Sequence, residues 1–224
     1  MKIQAEHFYK KAKGNRWLRP LIIWGTVFLC TMVLVSLCFN EGLDYDEAYS
    51  YRTVHDNTLT GIWSAILQAH DTDIPLWYSA LKIWTWFFGE SWMAYKLFAL
   101  SGTVATMVLG ATVIRKIWGF WTSLLFIIPV SLSPALMHIS VNIRMYSWTV
   151  FLVTVCALTA YLLKQNPERG RLWVLLFFTT WAALFSHYFT AFCHLFIYLY
   201  LLIELSRTGR KHIWKIFASG IAAM

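Results

Sequence analysis

The feature that most constrains this chain is the recurrence of apolar runs long enough to cross a bilayer. A helix needs about 20 predominantly apolar residues to cover the ~30 Å hydrocarbon core. Runs of roughly that length begin at Leu21, Trp92, Gly119 and Tyr146, and a longer one begins at Leu172. The chain therefore reads as all-α, a polytopic transmembrane helical bundle with one membrane-embedded domain over residues 1–224 and no internal repeat. No alternating pattern of about ten residues argues for a β-barrel. Charged residues make up 13% of the chain, against ~25% in a soluble domain.

The net charge of +8 invites a nucleic-acid partner, but its distribution argues against one. The basic residues come in short clusters between apolar runs, the pattern of cytoplasmic loops, and the 13 Trp suit membrane interfaces. Membrane lipids are the implied surroundings. Cys30, Cys38, Cys156 and Cys193 all lie inside apolar runs with neither CxxC nor zinc-ligand spacing, and they read as small apolar side chains.

The N-terminus is basic, with Lys2, Lys10, Lys11, Lys13, Arg16 and Arg19 against Glu6, and is expected in the cytoplasm. A signal peptide is the rival reading, but the apolar run is too long and lacks a small-x-small cleavage site before Asp44. Leu21–Phe39 is the first span. Trp92–Ile114, Gly119–His138 (softened by Pro129 and Pro134) and Tyr146–Leu163 are the next three. Leu172–Glu204 is about 33 residues, ~50 Å of helix, and is too long for one crossing. A break near Ser186-His187 gives about six spans in total. His138 and His194 are expected to pack within the bundle, and His55 at the surface.

Between the first two spans lies an acidic external loop, Asn40–Asp73, with helices expected over Tyr45–Val54 and Gly61–Ala69. Ile62, Trp63, Ile66 and Leu67 share one face of the second helix. Asp44, Asp46 and Glu47 stand just past the membrane exit, where partial dehydration sharpens a carboxylate as a base. Pro75–Phe88 is apolar but short of a full crossing. It reads as an interfacial helix with a polar stripe of Ser79, Lys82 and Thr85, a short tilted span being the alternative. The interfacial reading puts the N-terminus, Arg115/Lys116, Lys164–Arg171 and Arg207–Lys215 on one side and the acidic loop on the other. It also isolates Lys82, Lys96 and Arg144 on the acidic side, where cations at the membrane rim could bind a lipid-linked phosphate or simply snorkel to the headgroups.

Taken in order, an Asp-Glu-x-x-Tyr-like loop (Asp46, Glu47), a Pro-Leu-Trp-Tyr helix, Phe-Gly-Glu-Ser, Arg144-Met145-Tyr146-Ser147 and Ser186-His187-Tyr188 resemble the N-terminal half of the GT-C integral-membrane glycosyltransferases. The similar members are those like protein O-mannosyltransferases and lipid A aminoarabinose transferases, and the likeness covers roughly Gly42 to Phe189. The resemblance implies sugar transfer with inversion from a polyprenyl-phosphate-linked donor to an acceptor hydroxyl, on the outer face of a bacterial plasma membrane. Asp46 would be the general base beside Glu47, and Lys96 and Arg144 would bind the donor phosphate. Asp44, Tyr49, Asp71, Asp73, Tyr146 and His187 would line the substrate. The family's Asp-x-His-Pro-Pro-Leu stands here as Asp71-Thr72-Asp73-Ile74-Pro75-Leu76, its Arg as Lys96, and its Glu-x-Arg as Asn142-Ile143-Arg144.

A divalent metal on His70, Asp71, Asp73 and His187 is a further possibility; loop solvation and helix capping explain the two aspartates more simply. Members of the family continue with further spans, so the chain is expected to be truncated within an apolar segment at Met224. The competing class is a non-catalytic relative, a membrane scaffold or a transporter fragment. A transporter would show repeats with broken helices and polar groups at mid-membrane, whereas here the acidic groups lie at one face.

Overall fold

The computed structural model describes residues 17–40, 42, 44–68, 74–208, 212–221 and 223. His70, Asp71 and Asp73 lie outside the described residues. Regular structure among the described residues is entirely helical: α1 (Leu18–Asn40), α2 (Tyr45–His55), α3 (Leu59–Gln68), α4 (Pro75–Phe88), α5 (Trp92–Leu109), a π-helical turn (Gly110–Ile114), α6 (Arg115–Trp118), α7 (Phe120–Leu132), α8 (Pro134–Val141), α9 (Tyr146–Gln165), α10 (Gly170–Leu184), α11 (Thr190–Thr208) and α12 (Ile213–Ile221).

Among the described residues four helices are long and apolar enough to cross a membrane: Leu18–Phe39, Trp92–Trp118, Tyr146–Gln165 and Thr190–Arg207. The α7–α8 pair is bent by 64° and makes a fifth if taken as one span. Pro134 opens α8 and Ser133 before it is extended, because a proline ring crowds the residue that precedes it out of the helical region. The expected count of about six rests on α10, whose 15 residues make only ~22 Å of helix. The break in the last run does fall at residues 185–189, where the Phe185 and His187 amides close the helix onto Trp181 and Ala183.

The long helices run up and down. α9 and α10 are antiparallel, with Tyr146 meeting His187 at one end (ring centroids 5.6 Å apart) and Cys156 meeting Thr179 lower down (3.0 Å). α5 and α9 run parallel and close: Trp148 Nε1 donates to the Phe98 carbonyl, and a Cβ on Gly102 would stand 2.6 Å from the Trp148 nitrogen. Large apolar side chains on α1, α7, α10 and α11, among them Phe28, Leu125, Phe178 and Phe196, face outward. Hydroxyls pair inside instead: Thr103 with Ser140 at 2.7 Å, and Ser123 donating to the Gly110 carbonyl at 2.8 Å. Small side chains and buried hydroxyls inside, with apolar side chains outside, is how helices pack when the surrounding solvent is hydrocarbon.

The two ends differ in charge. One carries Arg115, Lys116, Lys164, Arg169, Arg171, Arg207 and Lys215, with Glu168 and Glu204 among them. The other carries Asp44, Asp46, Glu47, Asp56 and Glu90 around Arg52, Lys82, Lys96 and Arg144.

At this second end α2, α3 and α4 fold over the start of α5 around Val54, Ile62, Tyr78, Leu81 and Tyr95. Trp77 and Trp84, two turns apart on α4, both reach Phe98 of α5, so α4 crosses α5 rather than running beside it. The structure orients two stripes that periodicity left unoriented. The Ser79–Lys82–Thr85 stripe of α4 turns inward, Ser79 accepting from Trp63 of α3 and Lys82 pairing with Glu90, while Ile83, Trp86 and Phe87 are exposed. On α3, Ile62 and Ile66 are buried but Trp63 and Leu67 are exposed. His194 is buried as expected, whereas His138 is exposed at the end of α8, where it meets Asn142 at 3.3 Å.

Candidate functional site

α2 begins with a capping box. The Asp44 side chain caps the helix, and Glu47 Oε2 accepts the Asp44 amide at 3.0 Å. Asp, Asn, Ser or Thr at this position with Glu or Gln three residues on satisfies amides that the first helical turn leaves open. Glu47, Ser50 and Val54 then fall on the buried face, while Tyr45 and Asp46 are exposed and Tyr49 is half-buried.

Glu47 is the hinge of the site. It is only 1% exposed, and its second oxygen, Oε1, accepts the Ile143 amide at 2.9 Å across 96 positions of sequence. A buried carboxylate that accepts one backbone amide on each oxygen makes two charge-assisted hydrogen bonds. The bond ties α2 to the Asn142–Met145 segment that leads into α9. The residues next to the clamp on either side are Asp46 and Arg144, so the candidate base and the candidate phosphate ligand stand on adjoining segments. Glu47 thus positions backbone, each of its oxygens accepting one amide.

Arg144 is half-buried. Its Nη1 makes a long hydrogen bond to Tyr78 Oη (3.4 Å), and its guanidinium carbon is 5.9 Å from the Tyr146 ring. Tyr146 in turn meets His187 edge-on. Arg144, Tyr146 and His187 therefore form one cationic–aromatic wall, assembled from the α8–α9 and α10–α11 connections.

Lys96 departs from expectation. It is fully buried with Nζ 5.2 Å from the Trp92 ring centroid, rather than exposed at the rim where a headgroup would meet it. Aromatic cover around Asp46 is slight. Tyr45 is 86% exposed, and Tyr51 turns away from Asp46 to pack on Tyr95, Trp92 and His55. The physical reason is register: Glu47, Ser50, Tyr51 and Val54 make the inner face of α2, whereas Asp46 and Tyr49 flank it.

Sequence reasoning missed Tyr78, the Ile143 amide and a charge cluster at Glu90. Glu90 Oε2 meets His55 Nδ1 and its Oε1 meets Lys82 Nζ, both at 2.9 Å, so one carboxylate joins α2 to α4. The Lys82 hydrogen bond outweighs the opposing desolvation and, with the lesser pull of the Lys82 and His55 charges, holds the Glu90 carboxyl below its ordinary range. Eight-residue spacing between Lys82 and Glu90 across a helix end carries no periodic signal that would have revealed this pair. Among the described residues no three His, Cys, Asp or Glu side chains gather where they could hold a metal ion. No protein-family model, curated protein or solved structure matches the chain.

Proposed function

We propose that the chain is an integral-membrane glycosyltransferase that moves a sugar from a polyprenyl-phosphate-linked donor to an acceptor hydroxyl on the non-cytoplasmic face, in a bacterial plasma membrane, with Asp46 as general base. The observation that carries this reading is the Glu47–Ile143 bond, which sets an open carboxylate and a half-buried guanidinium on adjoining segments at one end of an apolar bundle. The acceptor oxygen attacks the anomeric carbon as its proton passes to Asp46. The bond from that carbon to the phosphate oxygen breaks, and the phosphate leaves with its electron pair. Arg144 stabilises the charge that develops there, and Tyr146 and His187 flank it.

The proposed topology has six crossings. α10 counts as a short one because it runs the length of α9 in the opposite sense, and α4 lies in the interface with Ile83, Trp86 and Phe87 toward lipid. The basic end then faces the cytoplasm. A non-catalytic scaffold is the second reading, favoured by the burial of Lys96.

The test is transfer from a synthetic polyprenyl-phosphate sugar by the chain in vesicles. Asp46→Asn keeps the shape and removes the base, and turnover falls by roughly 10²–10⁴ while donor binding survives. Asp44→Asn keeps the cap and changes turnover little. If Asp44→Asn abolishes transfer and Asp46→Asn does not, the base is misassigned. If the protein binds polyprenyl phosphate and neither variant alters any transfer, the scaffold reading stands instead.

A further inference from the structure

At the basic end, far from Asp46, a groove of about 740 Å³ opens between α7 and α11 with α9 as its floor. Trp118, Phe126, Ala157, Tyr161, Phe196 and Tyr200 are among its lining residues. Its volume lies within the ~300–1,000 Å³ typical of ligand sites. Its two threonines spend their hydroxyls on their own helices, Thr122 on the Trp118 carbonyl and Thr154 on the Val150 carbonyl, so apart from the polar tips of Trp118, Tyr161 and Tyr200 the lining offers a ligand apolar contact. Along α9 the lining runs from Val153 to Tyr161, which is ~12 Å of helix against ~15 Å for half of the hydrocarbon core.

The end of the groove is cationic. Lys164, one turn beyond Tyr161, holds its Nζ 5.9 Å from the Tyr200 ring and 3.0 Å from Glu204. Arg207 lies 3.8 Å from the same Glu204, and Arg115 flanks Trp118 on its own helix. Two cations thus meet one carboxylate, with Arg115 on the helix that brings Trp118 to the groove, and Lys164 is the more exposed member of its pair, 39% against 18%. Trp118 and Tyr161 meet at this mouth with ring centroids 4.8 Å apart and planes tilted by 48°, which suits side chains at headgroup depth.

We propose that this groove binds an anionic phospholipid, one acyl chain along α9 and the phosphate on Lys164 beside Arg115 and Arg207. The inference rests on the membrane-spanning reading of the bundle and not on sugar transfer. A second copy of the chain is disfavoured as occupant, because an axis along the membrane normal would bring the same cations together.

The test is native mass spectrometry of the full chain released from mild detergent with phosphatidylglycerol or phosphatidylcholine of matched acyl chains. Wild type retains phosphatidylglycerol about fivefold more, the worth of roughly one basic residue at an anionic lipid, and Lys164→Gln removes that preference. Ala157 is exposed in the groove, so Ala157→Trp fills the space without entering the core and lowers retention of both lipids. Leu125→Trp, outward-facing but outside the groove, leaves retention unchanged. Equal retention of the two lipids by wild type, or wild-type retention by Ala157→Trp, overturns the proposal. So does a dimer that Ala157→Trp dissociates, which would put a second copy in the groove. Sugar transfer measured on the same variants separates the two readings: loss of lipid retention with transfer intact, or the reverse, touches only one of them.

Discussion

Glu47 offers the sharpest perturbation of the site, because one carboxylate carries both the α2 cap and the tie to Ile143. In Glu47→Ala the amide of Ile143, a fully buried residue, loses its acceptor. A hydrogen bond to a charged group contributes about 1.5–3 kcal/mol, and leaving a buried donor unmet costs about 1–3 kcal/mol. Loss of half the capping box adds roughly 0.5–1 kcal/mol. These contributions overlap, so a total near 3–4 kcal/mol is expected, which is roughly 6–16 °C in Tm for a chain of this size. Glu47→Gln separates charge from shape. Its one carbonyl oxygen can serve either Ile143 or Asp44, and its NH₂ then faces the other amide, so about half the loss is expected. The assay is thermal unfolding in mild detergent, with hydrogen exchange at the Asn142–Tyr146 amides as the local readout. Protection there should fall in Glu47→Ala before the apolar core of α1, α5 and α7 loosens. A Glu47→Gln protein with wild-type Tm and wild-type exchange at Ile143 would refute the clamp.

Three further outcomes are expected. Gly102→Ala drives a Cβ to 2.6 Å from the Trp148 nitrogen, so α5 and α9 must separate, at about 1–3 kcal/mol, seen as a lowered Tm. Glu90 has a depressed carboxyl pKa; its contribution is therefore present above the ordinary glutamate range and is lost as pH falls through the folded value. Protection of α2 and α4 amides, taken relative to the intrinsic exchange rate at each pH, should fall on acidification, and Glu90→Gln should make that protection independent of pH in the same window. For topology, single cysteines at Tyr45 and Glu90, on either side of α4, should label from the same face of sealed vesicles, and labelling from opposite faces would mean that α4 crosses.

Much of the local structure was legible because its causes are local. Asp44 with Glu47 spells a helix start, and α2 begins at Tyr45. Pro75 and Gly89 bracket α4, where Gly89 takes the positive φ of 78° that stops the helix. The apolar runs set the spanning helices to within a few residues, since the length of such a run is itself the requirement for crossing. The break at residues 185–189 was only half legible: the total length demanded it, but no helix-breaking residue marks the spot.

What the tertiary structure decided is which face of each helix meets protein and which meets lipid. In water the question answers itself, because the polar face turns out. Where hydrocarbon surrounds the bundle, the core and the lipid are equally apolar, and the hydrophobic drive to bury one apolar face rather than another vanishes. Polar groups then move toward one another. Lys82 and Ser79 turned in to Glu90 and Trp63, Lys96 went beneath the surface, and Trp86 and Phe87 were left outside. Periodicity could group these residues on a stripe but not orient it. The Glu47–Ile143 bond lies beyond sequence reading for a different reason: it spans 96 positions, and only the packing of α2 over the start of α9 brings that carboxylate to that amide.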